Sequence, residues 1–328
     1  MNEVTCGDSL EVLKTLVDES VDCVITSPPY FGLRDYGMAG QIGLEETPEA
    51  YIQNLVDLFR EAKRVLKKEG TLWLNLGDSY SSGQRTTTTP QTVRGKRGEK
   101  ETNARPPVIE WAKQKDLLGI PWRVAFALQA DGWYLRQDII WHKPNPMPES
   151  VTDRCTKSHE YIFLLTKSPK YYFDNEAIKE DAVWDLDGNG TQARKERARE
   201  GLKSYPEGKR SGIRFGGNKY GDSDDPKHAT KSGNEYIVTG KRNRRSVWTV
   251  TTKPFKEAHF ATFPESLIEP MILAGCPKGG IVLDPFMGAG TTAVVAKKLG
   301  RNYLGIELNP EYIKIAQKRI DGTSNPML

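Results

Sequence analysis

The chain has 328 residues, of which 37% are hydrophobic and 27% charged, and a formal net charge of +4. These values are typical of a soluble globular protein with one large domain or two. No apolar run approaches the roughly 20 residues that a membrane helix needs, and the first residues lack the pattern of a secretory signal. We therefore expect a cytoplasmic protein. The four cysteines and four histidines are scattered, so neither a disulfide framework nor a metal site is predicted.

Predicted strands and helices alternate along the chain, as in an α/β sheet protein. Residues 81–107 are polar and predict a mobile basic loop. Residues 185–245 are poor in aliphatic side chains and predict a small appended region. In chain order, the predicted elements are a strand at 4–6, a helix at 10–16 capped by Ser9, a strand at 21–25, a helix at 48–68, a strand at 71–76, a helix at 121–130, strands at 133–141, 159–166 and 170–173, a helix from 264 that ends at Gly275, a strand at 280–284, a helix at 291–299, a strand at 303–308 and a helix at 310–320.

Positive charge is concentrated in two segments. Residues 194–245 contain fifteen Lys and Arg against seven Asp and Glu, and residues 85–105 contain six against two. The remainder of the chain is slightly acidic. This asymmetry favours a polyanionic partner, although either segment alone is equally well explained by a solvated loop.

Residues 26–30, with the sequence Thr-Ser-Pro-Pro-Tyr, follow a predicted buried strand and are called the Pro-Pro hook below. The two prolines fix φ at about −65° and remove two N–H donors, so the strand ends and the backbone is rigid. The Ser27 hydroxyl and the Pro28 carbonyl can accept hydrogen bonds from a planar amino group, while the Tyr30 ring covers the face of the same ligand. Taken alone, the segment is more simply a strand-ending turn with a half-buried tyrosine.

A second motif combines a strand at 281–284, a turn with Gly288 and Gly290, and a helix start. Glu307 lies at the end of the next predicted strand, seventeen residues after Gly290. This pattern predicts half of a nucleotide-binding unit, in which an acid on the neighbouring strand holds ribose hydroxyls. A third glycine is missing, and Asp284 ends the strand where a pyrophosphate would require positive charge. The motif therefore favours S-adenosylmethionine, with its ammonium and sulfonium, over NAD.

With both motifs, the chain resembles the β class of S-adenosylmethionine-dependent DNA amino-methyltransferases, in which the catalytic motif precedes the cofactor motif. The hook is similar to the catalytic motif in its S-P-P-Y form. Other segments resemble family motifs in the same order: residues 6–10, whose acid holds the adenine amino group, 64–70 in a scaffold helix, 140–148 beside the target base, and 259–264 near the methionine end of the cofactor. The resemblance covers most of the chain.

The resemblance implies a Rossmann-like methyltransferase fold with a mostly parallel twisted sheet built from both chain ends. The strand bearing Glu307 should then lie beside the strand that ends at Asp8. It also implies a catalytic part at 1–174, a target-recognition region at 175–255 and a cofactor-binding part at 256–328. The expected cofactor is S-adenosyl-L-methionine. The expected partners are double-stranded DNA and a cognate restriction endonuclease, with no membrane and no metal, and the chain is expected to be a monomer or a homodimer.

The resemblance also assigns roles to individual residues. The predicted catalytic residues are Ser27, Pro28, Pro29 and Tyr30. The predicted cofactor-binding residues are Asp8, Thr26, Phe263, Pro264, Asp284, Pro285, Phe286, Gly288, Gly290, Thr291, Thr292, Glu307 and Asn309. The predicted DNA-binding residues are Trp141, Lys143, Arg194, Arg210, Arg214, Lys241, Arg242, Arg244 and Arg245.

The expected reaction is methyl transfer to the N4 amino group of a flipped-out cytosine. An exocyclic amino group is a poor nucleophile because its lone pair is delocalised into the ring, so the catalyst must orient it. The target atom cannot be reached inside a duplex, which requires base flipping. Relatives that act on adenine usually have Asp at the position of Ser27, so the serine favours cytosine, with N6-adenine methylation as the alternative.

Three other functions are less consistent with the sequence. A protein glutamine methyltransferase uses a similar Pro-Pro-Tyr segment, but usually with Asn before it and with the two motifs in the opposite order. A DNA-binding relative without activity is disfavoured because both motifs are intact. A nicotinamide-dependent oxidoreductase is disfavoured by Asp284. Transfer of labelled methyl groups to duplex DNA would separate these functions.

Overall fold

The computed structural model describes residues 2–81, 109, 111–181, 241–252 and 263–324. Most of the predicted basic loop and the stretch 194–240 lie outside these residues. The chain forms two compact units, one of Met1–Ile178 with Arg245–Leu328 and one of Lys179–Arg244.

The bounds of the elements are as follows. The strands are β1 (Asn2–Cys6), β2 (Val21–Thr26), β3 (Leu66–Leu76), β4 (Tyr134–His142), β5 (His159–Thr166), β6 (Glu180–Asp181), β7 (Lys241–Arg242), β8 (Val247–Thr249), β9 (Ile281–Asp284) and β10 (Asn302–Glu307). The helices are α1 (Ser9–Thr15), α2 (Pro48–Val65), α3 (Ile120–Ala130), α4 (Glu265–Gly275), α5 (Thr291–Lys298) and α6 (Pro310–Asp321).

The larger unit is built on one sheet with the strand order β1-β10-β9-β2-β3-β5-β4-β8. Strand β5 is antiparallel to both of its neighbours, and all other neighbouring pairs are parallel. The prediction of an α/β fold with a mostly parallel sheet is therefore confirmed. Cys6 of β1 is paired with Glu307 of β10, and the Gly7 amide donates to the Glu307 carbonyl at 3.0 Å. The sheet is thus assembled from both ends of the chain, as expected.

Helices cover both faces of this sheet. Alternate residues of a strand point to opposite faces, so Val24 and Leu72 join a core with α1, α2 and α3. Cys23 and Trp73 instead join a second core with α4 and α5. In a doubly wound sheet of this kind, ligands bind beyond the carboxyl ends of the strands. None of the helices in the described part of the chain is long and apolar enough to cross a membrane.

Several predicted boundaries differ from the structure. Helix α2 ends at Val65 and not at 68, because Leu66 adopts an extended backbone with φ −72° and ψ 134° and pairs with Val21. The polar residues 67–69 are compatible with an exposed helix end, but they belong to β3. Helix α1 is capped by the Asp8 side chain, which accepts from the Glu11 amide at 3.0 Å, and not by Ser9.

Two strand predictions also require correction. Residues 170–173 form no strand. The Phe173 ring instead packs against the Trp73 ring and the Tyr171 ring, with 6.3 Å between the ring centroids in both pairs. Strand β8 was missed because its three residues are too short for a periodic pattern, yet it pairs with β4 and places Trp248 6.2 Å from Trp73.

The described residues of the smaller unit include β6 and β7, which pair antiparallel. The guanidinium of Arg242 forms an ion pair with Glu180 at 2.8 Å.

Candidate active site

A cavity of about 680 Å³ opens at the carboxyl edge of the parallel strands. Residues that directly follow β1, β2, β9 and β10 line it, as do residues from β3 and β4. Glu160 reaches the same edge from the start of β5, because an antiparallel strand begins where its parallel neighbours end. The topology therefore gathers side chains from distant parts of the sequence around one cavity.

Most of the predicted catalytic and cofactor-binding residues line this cavity. Those that line it are Asp8, Ser27, Pro28, Pro29, Tyr30, Phe263, Pro285, Phe286, Gly288, Thr291, Glu307 and Asn309. Those that do not line it are Thr26, Pro264, Asp284, Gly290 and Thr292. The hook and the glycine turn thus face the same space from opposite ends of the chain.

Glu307 organises what we call the glycine-turn side of the cavity, formed by Asp8, Gly288, Glu307 and Asn309. One carboxylate oxygen accepts from the Gly288 amide at 2.8 Å and the other from the Asn309 amide at 2.8 Å. Burial raises the pKa of Glu307, and the backbone amides oppose this shift. Because each carboxylate oxygen has two lone pairs, Glu307 retains capacity to accept hydrogen bonds from a ligand.

The turn leaves room for a ligand at Gly288. This residue has φ +53°, and a Cβ added to it would meet no atom within 4 Å. Gly290, with φ +79°, is different, because its added Cβ would lie 2.8 Å from the Cβ of Ala316. The first glycine therefore leaves space beside the cavity, and the second permits α5 and α6 to approach each other.

Asp284 has a structural position that differs from the expected one. It is only 1% exposed, and its carboxylate accepts from the Thr26 hydroxyl at 2.7 Å, the Thr292 hydroxyl at 2.6 Å and the Phe286 amide at 3.1 Å. Burial raises its pKa to about 6, against the effect of these donors. Asp284 therefore joins the end of β2 to the turn after β9 and the start of α5, and does not face the cavity as a partner for an ammonium.

Two further residues have identifiable positions. Pro264, outside the cavity, is the residue that precedes α4, with an extended backbone. Ser9, predicted only as a cap, lines the cavity as the first residue of α1. Its hydroxyl donates to the Pro285 carbonyl at 2.6 Å and ties the start of α1 to the turn after β9.

The Pro-Pro hook is held by packing and by hydrogen bonds. The Tyr51 hydroxyl of α2 donates to the Pro29 carbonyl at 2.8 Å. The Tyr30 ring lies directly on Gly77, where an added Cβ would come within 2.4 Å of Cε2. Among the described residues, no donor is bonded to the Pro28 carbonyl. The hook is therefore fixed in place with this acceptor left available.

A cluster of polar side chains forms what we call the hook side, made of Ser27, Tyr30, Asn75, Lys143 and Glu160. One Glu160 oxygen accepts from the Tyr30 hydroxyl at 2.8 Å and from the Asn75 amide at 2.8 Å. The other forms an ion pair with Lys143. The Ser27 hydroxyl lies 3.4 Å from that of Tyr30. Burial, followed by the charge of Glu160, raises the pKa of Tyr30, so the phenol keeps its proton.

Sequence reasoning missed two groups of cavity residues. The first is the segment 33–42, which lines the cavity with Tyr36 and Met38 among others. The second is Asn75 with Glu160, which lie on strands and belong to no recognised motif. For Asn75, the sequence offered one indication, which is a polar residue within the buried part of a strand, here β3.

The predicted DNA-binding residues fall into three groups. Trp141 is buried and Lys143 half-buried, and both line the cavity, with the ammonium 4.2 Å from the indole centroid. Trp141 can therefore contact only a ligand that enters the cavity. Lys241 and Arg245 are exposed, while Arg242 and Arg244 are half-buried. Arg194, Arg210 and Arg214 lie outside the described residues.

Comparison with known proteins identifies the class. The sequence model of the DNA methylase family matches residues 21–318. The Type II methyltransferase M.Cfr9I of Citrobacter freundii is 48% identical over 316 residues, which cover 96% of this chain and 86% of the relative. The Type II methyltransferase M.SmaI of Serratia marcescens is 47% identical over 318 residues, which cover 97% and 90%. The chain therefore belongs to the DNA methylase family.

Solved structures agree with this assignment at the level of the fold. The PvuII DNA methyltransferase (cytosine-N4-specific) matches with a TM-score of 0.62 at 17% identity, covering 97% of this chain and 86% of that one. A putative DNA modification methylase of Thermus thermophilus, solved with S-adenosyl-L-methionine, matches with a TM-score of 0.56 at 22% identity, covering 98% and 93%. The protein is a DNA methyltransferase of the N4/N6 family.

Proposed function

We propose that the protein transfers a methyl group to the N4 amino group of cytosine at a specific site in duplex DNA. The observation that carries this proposal is the neutral hydroxyl of Ser27 in the cavity, beside a Pro28 carbonyl that accepts from no donor among the described residues. The serine supports cytosine because relatives that act on adenine usually have Asp at this position. N6-adenine methylation is the alternative that the experiment below tests.

The hook residues orient the target amine. The Ser27 oxygen and the Pro28 carbonyl accept its two N–H bonds and draw the nitrogen toward tetrahedral geometry, which directs the lone pair at the methyl group. The Tyr51 hydrogen bond and the two prolines fix these acceptors before the base arrives, so little reorganisation is needed during the reaction. The half-buried Tyr30 ring lines the cavity and contributes stacking with the base, worth roughly 1–3 kcal/mol in comparable cases.

The glycine-turn side is the proposed binding site for S-adenosyl-L-methionine, which supplies an electrophilic methyl group on a sulfonium. Glu307 accepts hydrogen bonds from the ribose hydroxyls, and Asp8 accepts one from the adenine amino group. The rings of Phe263 and Phe286 line the same cavity and cover the apolar faces of the cofactor. The open space at Gly288 supports this assignment, because a side chain there would project where the ligand must lie.

The target-recognition region is proposed to lie at 175–255, with its basic residues on phosphates and bases of the major groove. The relatives are named Type II methyltransferases, which supports a role in a restriction-modification system with a cognate endonuclease as partner. Deleting 194–240 should abolish DNA binding while binding of S-adenosyl-L-methionine stays measurable. Loss of both together would argue against a separate recognition region.

The decisive experiment combines a plasmid library with labelled S-adenosyl-L-methionine. Nucleoside analysis of the product should show N4-methylcytosine in one sequence context, and the Ser27→Ala variant should label the DNA at least about 100-fold more slowly. N6-methyladenine in the wild-type product would replace the proposal with the alternative. Label in added protein and not in DNA would point to a protein substrate, and cofactor binding without transfer would point to a relative that has lost activity.

A further inference from the structure

The hook side contains a carboxylate that no sequence motif predicts. Glu160 stands opposite Trp141 in the register of β5 and β4, and its side chain is only 16% exposed. A carboxylate buried to this extent requires partners. Its partners are Tyr30, Asn75 and Lys143, and all of them line the cavity.

The hydrogen bonds of this cluster have a defined direction. An ionised carboxylate only accepts, so the Tyr30 hydroxyl must donate its single proton to Glu160, at 2.8 Å. The Asn75 amide donates to the same carboxylate oxygen at 2.8 Å and to the Tyr30 oxygen at 3.0 Å. With its proton committed, the phenol oxygen can only accept further hydrogen bonds.

This direction determines what Ser27 can offer to a ligand. The Ser27 hydroxyl donates to the Tyr30 oxygen at 3.4 Å, a long contact of the kind that often tightens when substrate binds. Once its proton points at Tyr30, the serine oxygen presents lone pairs to the cavity. The serine then acts as an acceptor, which is what the N–H of a target amine requires.

We propose that Glu160 is a positioning residue for methyl transfer, which acts through Tyr30 to fix the Ser27 hydroxyl as an acceptor for the amino group of the target base. This inference rests on the proposed function of the hook. The Glu160 carboxylate does not contact Ser27 directly. It acts through two successive hydrogen bonds, from Tyr30 to Glu160 and from Ser27 to Tyr30. The ion pair with Lys143 and the amide of Asn75 hold that carboxylate in place.

The test begins with Glu160→Gln, which keeps the size of the side chain. Its amide oxygen will turn to the Lys143 ammonium, so its N–H group faces Tyr30 and reverses the direction of the hydrogen bonds. We expect the rate constant of methyl transfer, measured in single-turnover experiments, and with it kcat to fall roughly 100-fold, as for loss of one preorganised transition-state contact. KM for DNA and Kd for S-adenosyl-L-methionine should stay near the wild-type values. A loss confined to KM, or an unchanged kcat, would overturn the proposal.

A double-mutant cycle tests the route through Tyr30. Tyr30→Phe removes the hydroxyl between Ser27 and Glu160, so it should lower kcat to a similar extent, and the double variant should be no slower than either single one. Independent, multiplying losses would contradict the proposal. Glu149→Gln is the matched control, because Glu149 also forms an ion pair, with Arg154, but does not line the cavity. This variant should leave kcat unchanged.

Two further measurements separate the possible reasons for failure. If Glu160→Gln is unstable, the pair Glu160→Gln with Lys143→Met removes both charges and avoids an unpaired buried ammonium. It should fold and remain as slow as expected for the single variant, and recovery of wild-type kcat would overturn the proposal. The methylated nucleoside of the wild-type enzyme is identified first, so an error in the proposed base is recognised independently of any effect at Glu160.

Discussion

The two sides of the cavity are built in different ways. On the glycine-turn side, Glu307 is bonded to the backbone amides of Gly288 and Asn309, all within one strand-turn-helix motif and the strand that follows it. On the hook side, Glu160 is bonded to the side chains of Tyr30, Asn75 and Lys143, which come from separate strands and loops. Partners that are backbone amides persist when their side chains are substituted, whereas partners that are side chains are lost. This difference between the two sides can be tested.

The largest expected effect lies on the hook side, at Ser27→Ala. Loss of one preorganised acceptor should lower kcat by about 100- to 1,000-fold, or roughly 3–4 kcal/mol. The affinity for S-adenosyl-L-methionine should be unchanged, because the serine belongs to the other side of the cavity. Single-turnover methylation and equilibrium binding of the cofactor measure the two quantities. Equal losses in both would mean that the two sides are not separable.

The second effect concerns stability and arises at Asp284, beneath the glycine turn. Its folded pKa of about 6 lies above the ordinary value of 3.8 because the carboxyl is buried. The folded state therefore holds this proton more tightly, and as pH rises from about 4 to about 6 the contribution of Asp284 to stability falls. Asn does not titrate and can accept from Thr26 while donating to Thr292. Relative to the wild type, Asp284→Asn should therefore gain on the order of 1–3 kcal/mol over that pH range and remain level above it.

Urea unfolding of both proteins at pH 4, 5, 6 and 7 measures this difference directly. Asp321→Asn is a suitable control, because Asp321 is exposed and its replacement should give no comparable pH-dependent gain. A difference between Asp284→Asn and the wild type that stays constant with pH would show that the carboxyl is not perturbed in the folded protein.

The same contrast explains how much could be predicted from the sequence. Gly288, Gly290 and Glu307 form a short local pattern with a known geometric purpose, so this side of the cavity could be predicted from the sequence. The α/β fold followed from the alternation of strands and helices, and the pairing of β1 with β10 followed from the family resemblance. Asn75 and Glu160 could not be found in this way, because they meet only through the antiparallel placement of β5. A sequence pattern reports neighbours along the chain, whereas the hook side depends on which strands are neighbours in space.

Asp284 shows that a recognised motif does not predict the orientation of each of its side chains. Its position in the strand and its charge were correct reasons to select it, but its burial and its three donors depend on Thr26 and Thr292 packing around it. Charge in a sequence does not reveal whether a side chain points to a ligand or to its own turn. The hook prolines, in contrast, restrict the backbone by themselves, and β2 ends at Thr26, just before them.

A smaller effect is expected on the glycine-turn side at Glu307→Gln. Glutamine can accept from only one of the two amides, so either Gly288 or Asn309 loses its partner, which costs on the order of 1–2 kcal/mol. Kd for S-adenosyl-L-methionine should rise by about 10-fold while kcat at saturation changes little. Calorimetric titration measures this change, with Glu311→Gln as the control, since Glu311 is exposed and paired with Lys314. A fall in kcat at saturating cofactor without a change in Kd would contradict the placement of Glu307 on the cofactor-binding side of the cavity.

The finest test compares the two glycines of the turn, because the same substitution should act on different properties. At Gly288, an alanine methyl projects into open space beside the cavity, so Gly288→Ala should weaken S-adenosyl-L-methionine binding several-fold and lower stability only by the strain of positive φ, about 1 kcal/mol. At Gly290, the methyl meets Ala316 at 2.8 Å, so Gly290→Ala should lower stability by about 1–3 kcal/mol. Thermal unfolding with and without the cofactor separates the two outcomes. If Gly288→Ala lowered stability as much as Gly290→Ala and left cofactor affinity intact, the space beside Gly288 would have no role in binding, because a ligand that lies there must compete with the added methyl group.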